Sequence, residues 1–258
     1  MNWIKSNNVW IKFNSIDDVA NSIIFGNNFD VFKKFPKNSV DLIISDPPYG
    51  INFRSMYNRY DNLNRVYKPI FRDGYRFNYM KNDFEVPLSW LVEAFRILKN
   101  DMAIYIFCHW KKFSKLMSKV EDVGFKLKNL IVMNKSNWGM GDLTGSYAPK
   151  YELVLYAVKG KHKLNFYDGR EKDVISVPYF FSGGKRYHPA QKGLSWVTKF
   201  ILNSSKRGDI VLDPFCGSGS FLMEFYRLGR KYIGIEIDEK YCRISQLRLL
   251  NFKLKNIR

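Results

Sequence analysis

Two apolar runs of this chain end in short stretches dense with chemistry. Val40-Asp41-Leu42-Ile43-Ile44-Ser45 leads into Asp46-Pro47-Pro48-Tyr49, and Ile210-Val211-Leu212 leads into Asp213-Pro214-Phe215-Cys216-Gly217-Ser218-Gly219-Ser220. A short β-branched run closed by Pro or Gly reads as a buried parallel strand. Open α/β sheets bind their ligands at the C-terminal ends of such strands. Both stretches therefore stand where chemistry is expected.

The rest of the chain alternates in the same manner. Further strands are predicted at residues 22–25, 103–107, 130–133, 153–157 and 232–235, with 41–45 and 210–212 the two already named. Phe29 to Phe35 lies between the first two strands, and helices are predicted at 111–123, 194–204 and 221–228. A helix over 88–99 puts Leu88, Leu91, Val92, Phe95 and Leu98 at helical spacing. This alternation implies an α/β fold with a Rossmann-like, doubly wound and mostly parallel sheet. At 258 residues and 46% hydrophobic content, the chain suits a single domain over 1–258 with insertions. Two segments break the rhythm. Residues 51–83 and 159–187 interleave aromatic and basic side chains without a clean period, and rings among cations suit stacking on bases beside phosphate contacts. The first is a candidate DNA contact and the second a candidate target-recognition region.

Lys plus Arg number 42 against 24 Asp plus Glu, a net charge of +18. With an isoelectric point near 9.7, a polyanionic partner is expected. Cys108, Cys216 and Cys242 are odd in number and lack CxxC spacing, which argues against a disulfide framework and a zinc site. The N-terminus has no secretory pattern, and no run of about 18 apolar residues occurs. A cytoplasmic protein is expected.

In the second stretch, Gly217 and Gly219 permit a tight turn into a helix whose free N–H groups can meet a carboxylate, and Asp213 is placed to receive an ammonium or polar donor. Glu236 ends the next strand, where an acid commonly takes both hydroxyls of a ribose. In the first stretch, the Asp46 carboxylate and the Pro47 carbonyl form a rigid pair of acceptors, since Pro47 and Pro48 fix φ. Such a pair can draw on the two N–H bonds of an exocyclic amine and free its lone pair from the ring. Tyr49 can stack on the base, which must be flipped from a duplex to reach it.

On these residues the chain resembles the amino-methylating DNA methyltransferases, which make N6-methyladenine or N4-methylcytosine, and within them the circularly permuted β group, where the catalytic tetrapeptide precedes Phe-x-Gly-x-Gly. Gly26-Asn27-Asn28-Phe29, Glu93-Ala94-Phe95-Arg96-Ile97-Leu98-Lys99, Tyr151-Glu152-Leu153-Val154-Leu155-Tyr156 and His188-Pro189-Ala190-Gln191-Lys192 extend the likeness. The resemblance implies an S-adenosylmethionine-dependent methyltransferase fold acting on double-stranded DNA, with Asp46, Pro47, Pro48 and Tyr49 catalytic. It implies cofactor contacts from Asn27, Asp46, Asp213, Phe215, Gly217, Ser218, Gly219, Ser220 and Glu236. His188 and Gln191 join them, with Lys192 near the cofactor carboxylate. A bacterial, archaeal or phage origin, a homodimer and a companion restriction enzyme fit the same group. No metal is required.

Asn27 stands where the family usually has Asp, and Gly193 where it usually has Pro, which loosens the start of the next helix. Asp-Pro-Pro-Tyr goes more often with adenine N6 and Ser-Pro-Pro-Tyr with cytosine N4, so adenine is preferred and N4-cytosine is the alternative. A non-catalytic nucleic-acid-binding protein that kept the fold is the alternative from another class. Cytosine C5 methylation needs a thiolate, typically in Pro-Cys, which is absent. Cys216 reads as a packing residue and His109 as a cap at a sheet end.

Overall fold

Side chains alternate between the two faces of a strand, so each buried strand must serve two cores at once. The computed structural model describes residues 2–6, 9–50, 88–136, 145–166, 169–178 and 192–255. Its ten strands are β1 (Asn2–Ser6), β2 (Val9–Phe13), β3 (Ser22–Phe25), β4 (Val40–Ser45), β5 (Leu98–Cys108), β6 (Lys126–Lys135), β7 (Tyr151–Lys159), β8 (Val174–Val177), β9 (Ile210–Asp213) and β10 (Lys231–Glu236). They form one sheet in the order β2-β1-β3-β10-β9-β4-β5-β7-β6-β8. The five central strands, from β3 to β5, are parallel, and antiparallel neighbours extend both sides.

Among the described residues six α-helices cover the sheet: α1 (Asn28–Phe32), α2 (Trp90–Ile97), α3 (Phe113–Val123), α4 (Thr198–Ser204), α5 (Ser220–Arg227) and α6 (Glu239–Lys255). Ile43, Ile104, Leu212 and Ile233 pack with Phe32, Trp90, Leu91 and Leu116 of α1–α3. On the opposite face Leu42, Ile44, Tyr105 and Val211 pack with Phe200, Phe221, Phe225 and Leu249 of α4–α6. The fold is thus the doubly wound arrangement that the alternation implied. After β4 the chain moves to β5 on one side, and after β9 it moves to β10 on the other. The C-terminal ends of β4 and β9 therefore flank a topological switch point, where a crevice opens in sheets of this kind.

Several boundaries differ from the sequence reading. The helix expected over 88–99 ends at Ile97, because Leu98 turns to extended geometry and pairs with Val40 as the first residue of β5. Its buried side is Trp90, Leu91, Ala94 and Ile97, while Val92 is 52% exposed. The helix expected from Leu194 opens with a 3-10 turn over Leu194–Val197, whose cap, Gly193, offers no side chain to hold it. The β1–β2 hairpin and α6 were not foreseen. Asp238 caps α6, its carboxylate accepting from Lys240 N at 2.8 Å. Within 159–187, β8 pairs with β6 as the last strand of the sheet, so this part of the presumed insertion belongs to the fold. Residues 51–83 lie outside the described residues.

Candidate active site

β4 leads directly into Asp46, and its parallel neighbours β9 and β10 end in Asp213 and Glu236, so strand order brings the three carboxylates to one edge. Asp213 is 2% exposed. Burial pushes its carboxyl well above the usual carboxylate range, and the charges of Asp46 and Glu236 push the same way against a bond from Phe215 N. Among the described residues no basic side chain pairs with Asp213 or Glu236. Buried acids left without cations suit a ligand that carries positive charge.

Glu236 is not the solvated turn acid that its neighbours Asp238 and Glu239 would allow. Its two oxygens accept from Gly217 N and Asp238 N, each at 2.8 Å, and so tie the glycine loop to the start of α6. Burial raises its pKa, opposed by those backbone bonds. Each oxygen keeps a lone pair for a ribose hydroxyl. Gly219 has φ +78°, and a Cβ there would stand 2.8 Å from Ser245 Cβ on α6. Ser218, expected at the cofactor, has its hydroxyl and carbonyl bonded by Arg248 of α6. It serves the loop rather than presenting its hydroxyl to the crevice. Ser220, at the first position of α5, and Ser45, beside Asp46, have buried hydroxyls without partners. An unpaired hydroxyl at a helix N-terminus fits a polar, partly anionic ligand.

Asn27 caps α1 through its side-chain oxygen, which accepts from Phe29 N at 2.9 Å. Phe215 meets the edge of Trp90 with ring centroids 5.5 Å apart. Cys216 is 6% exposed, and its Sγ would lie 2.9 Å from any Cβ at Gly234, so it is a packing residue, as expected. His109 behaves likewise, capping the 3-10 turn Trp110–Lys112 through Nδ1.

Asp46 holds the surprise. The Tyr49 hydroxyl donates to its Oδ1 at 2.7 Å, and Lys192 Nζ lies 2.8 Å from its Oδ2. Lys192, expected at the cofactor carboxylate, is instead on the catalytic candidate. Burial, then the Asp46 charge, pushes the Tyr49 phenol well up, so it stays a neutral donor. Nothing among the described residues bonds the Pro47 carbonyl, which leaves it open as the second acceptor. His188 and Gln191 lie outside the described residues. Sequence reasoning missed Arg248 and Ser245 because α6 was missed; the signal was a run without Gly or Pro behind Asp238.

Residues 40–247 match the model of the N6/N4 DNA methylase family. The chain belongs to the N6-adenine/N4-cytosine DNA methyltransferases. Type II methyltransferase M.HinfI of Haemophilus influenzae is 30% identical over 93% of this chain and 71% of its own length. M.HpaI of Haemophilus parainfluenzae is 31% identical, covering 88% and 73%. The fold of this methyltransferase is similar to an M1.HpyAVI–SAM complex (TM-score 0.65, 25% identity, 88% and 98% of the two chains). It is also similar in fold to PvuII DNA methyltransferase, described as cytosine-N4-specific (TM-score 0.67, 15% identity, 91% of each). The methyltransferase acts on DNA and uses S-adenosylmethionine, whose ammonium and sulfonium suit the acidic crevice. No helix of the described residues is long and apolar enough to cross a membrane.

Proposed function

We propose that this methyltransferase transfers a methyl group to the exocyclic N6 of adenine in double-stranded DNA, with Asp46, Pro47, Pro48 and Tyr49 forming the catalytic element. The observation that carries the proposal is a carboxylate, Asp46, at the end of β4 beside a second acidic strand end, at the switch point of the sheet. S-adenosylmethionine, when bound, supplies an electrophilic methyl on sulfur, and its acceptance by nitrogen forms one N–C bond as one S–C bond breaks.

The protein's part is to hold and polarise. Asp46 and the Pro47 carbonyl accept from the two amine N–H bonds, turning the lone pair out of the ring, and the substituted amine then passes one proton to solvent water. Tyr49 supports the flipped base. Asp213, Glu236, Ser220 and the first N–H groups of α5 hold the cofactor, so both reactants meet at one edge and proximity lowers the barrier. Glu236 serves the ribose. Its replacement by alanine raises the cofactor concentration needed for half-maximal rate while the rate at saturation changes little; unchanged affinity in equilibrium binding would remove Glu236 from that role.

Adenine is favoured because Asp rather than Ser leads the tetrapeptide, the pattern that goes more often with N6 in the family the chain resembles. Incubation with unmethylated AT-rich genomic DNA and S-adenosylmethionine, followed by digestion and mass spectrometry of the nucleosides, is expected to yield N6-methyladenine. N4-methylcytosine would keep the mechanism and overturn the base.

A further inference from the structure

We propose that Lys192 is a positioning residue for methyl transfer, anchoring Oδ2 of Asp46 so that Oδ1 is the oxygen offered to the target amine; this rests on the reading of Asp46 as catalytic. The lysine reaches Asp46 from the segment leading into α4, 146 residues away in sequence. Its side chain is 8% exposed and that of Asp46 17%. The ammonium lies 5.3 Å from the ring centroid of Tyr49 and 5.6 Å from that of Phe107, which fixes its direction as well as its charge. It also stands 3.2 Å from the Tyr49 hydroxyl, closing a triangle with Asp46.

The two donors on Asp46 differ in kind. Lys192 is charged and sheltered, and pulling it away would leave two buried ions uncompensated. The Tyr49 hydroxyl on Oδ1 is neutral, and an incoming amine N–H replaces it like for like. Oδ1 is therefore the working oxygen and Oδ2 the anchor. Other groups also face this cluster. Glu152 on β7 is paired with Lys135 at 3.2 Å, Asp213 is acidic, Cys108 is a thiol with its pKa pushed to about 12, chiefly by burial, and His109 packs its ring 6.3 Å from Tyr49.

The test is single-turnover transfer to unmethylated DNA, with cofactor affinity measured separately by equilibrium binding. Lys192→Met is expected to be about 100-fold slower with cofactor affinity intact. Lys192→Arg should recover most of the rate. A Lys192→Met enzyme at wild-type rate would overturn the role, and weakened cofactor binding with a normal saturated rate would return Lys192 to the cofactor carboxylate. Should that variant not fold, Lys192→Leu carries the question, since it can make no bond to Asp46; a wild-type rate there would overturn the proposal. Asp46→Asn in the same assay separates the premises. Full activity there would remove Asp46 itself, whereas a dead Asp46→Asn beside a fully active Lys192→Met would remove only the positioning role.

Discussion

Asp46→Ala is expected to lower single-turnover methyl transfer on the order of 10³-fold while S-adenosylmethionine still binds. The reason is geometric. Asp46 follows β4, whereas the glycine loop follows β9 and Glu236 ends β10, so removing the carboxylate strips the amine's acceptor and leaves the cofactor's partners standing. A second effect accompanies it. The Lys192 ammonium loses its partner in a sheltered site, and the variant should be about 3 kcal/mol less stable to urea. Rates must therefore be compared at a temperature where the variant is folded. Near wild-type turnover in a folded Asp46→Ala protein would sink the catalytic assignment.

The second large effect is expected at Gly219. Its φ of +78° lies in the left-handed region, and an added Cβ would come 2.8 Å from Ser245 Cβ and 3.3 Å from its Cα. The nearer atoms belong to a helix rather than to a flexible side-chain end, so α6 would have to retreat. Strain and overpacking together predict a loss of about 3 kcal/mol for Gly219→Ala. The displacement also reaches the cofactor, because Arg248 of α6 holds Ser218 in the same loop and Glu236 holds Gly217. Cofactor affinity should fall at least tenfold, the equivalent of about 1.4 kcal/mol. A variant with unchanged urea midpoint would show that α6 yields freely and that the loop is not clamped.

Much of the fold was legible because its signals are local. Ile43 and Leu42 face opposite cores simply because strand side chains alternate, and the β-branched runs 41–45 and 210–212 announce themselves within six residues. The cap at His109 and the packing role of Cys216 were equally readable. Where signals were weak the reading fell short. α6 lacks a clean apolar stripe, with Leu247, Leu250 and Leu254 more than half exposed, so periodicity did not reveal it. β8 is four residues long and owes its existence to pairing with β6 rather than to its own pattern. Leu98 suits a helix by spacing, yet its pairing with Val40 draws it into β5.

The sequence by itself determined the chemistry at each strand end: an acid with two prolines and a tyrosine after β4, an acid and a glycine turn after β9, an acid closing β10. Those groups depend only on neighbours in the chain. Tertiary structure alone decided how they are wired. Strand order set Asp46 beside Asp213, α6 clamped Gly219 and bonded Ser218 through Arg248, and the segment before α4 delivered Lys192 to Asp46. Contacts across such separations are fixed by which strands adjoin and which face each helix covers, and no local pattern encodes them.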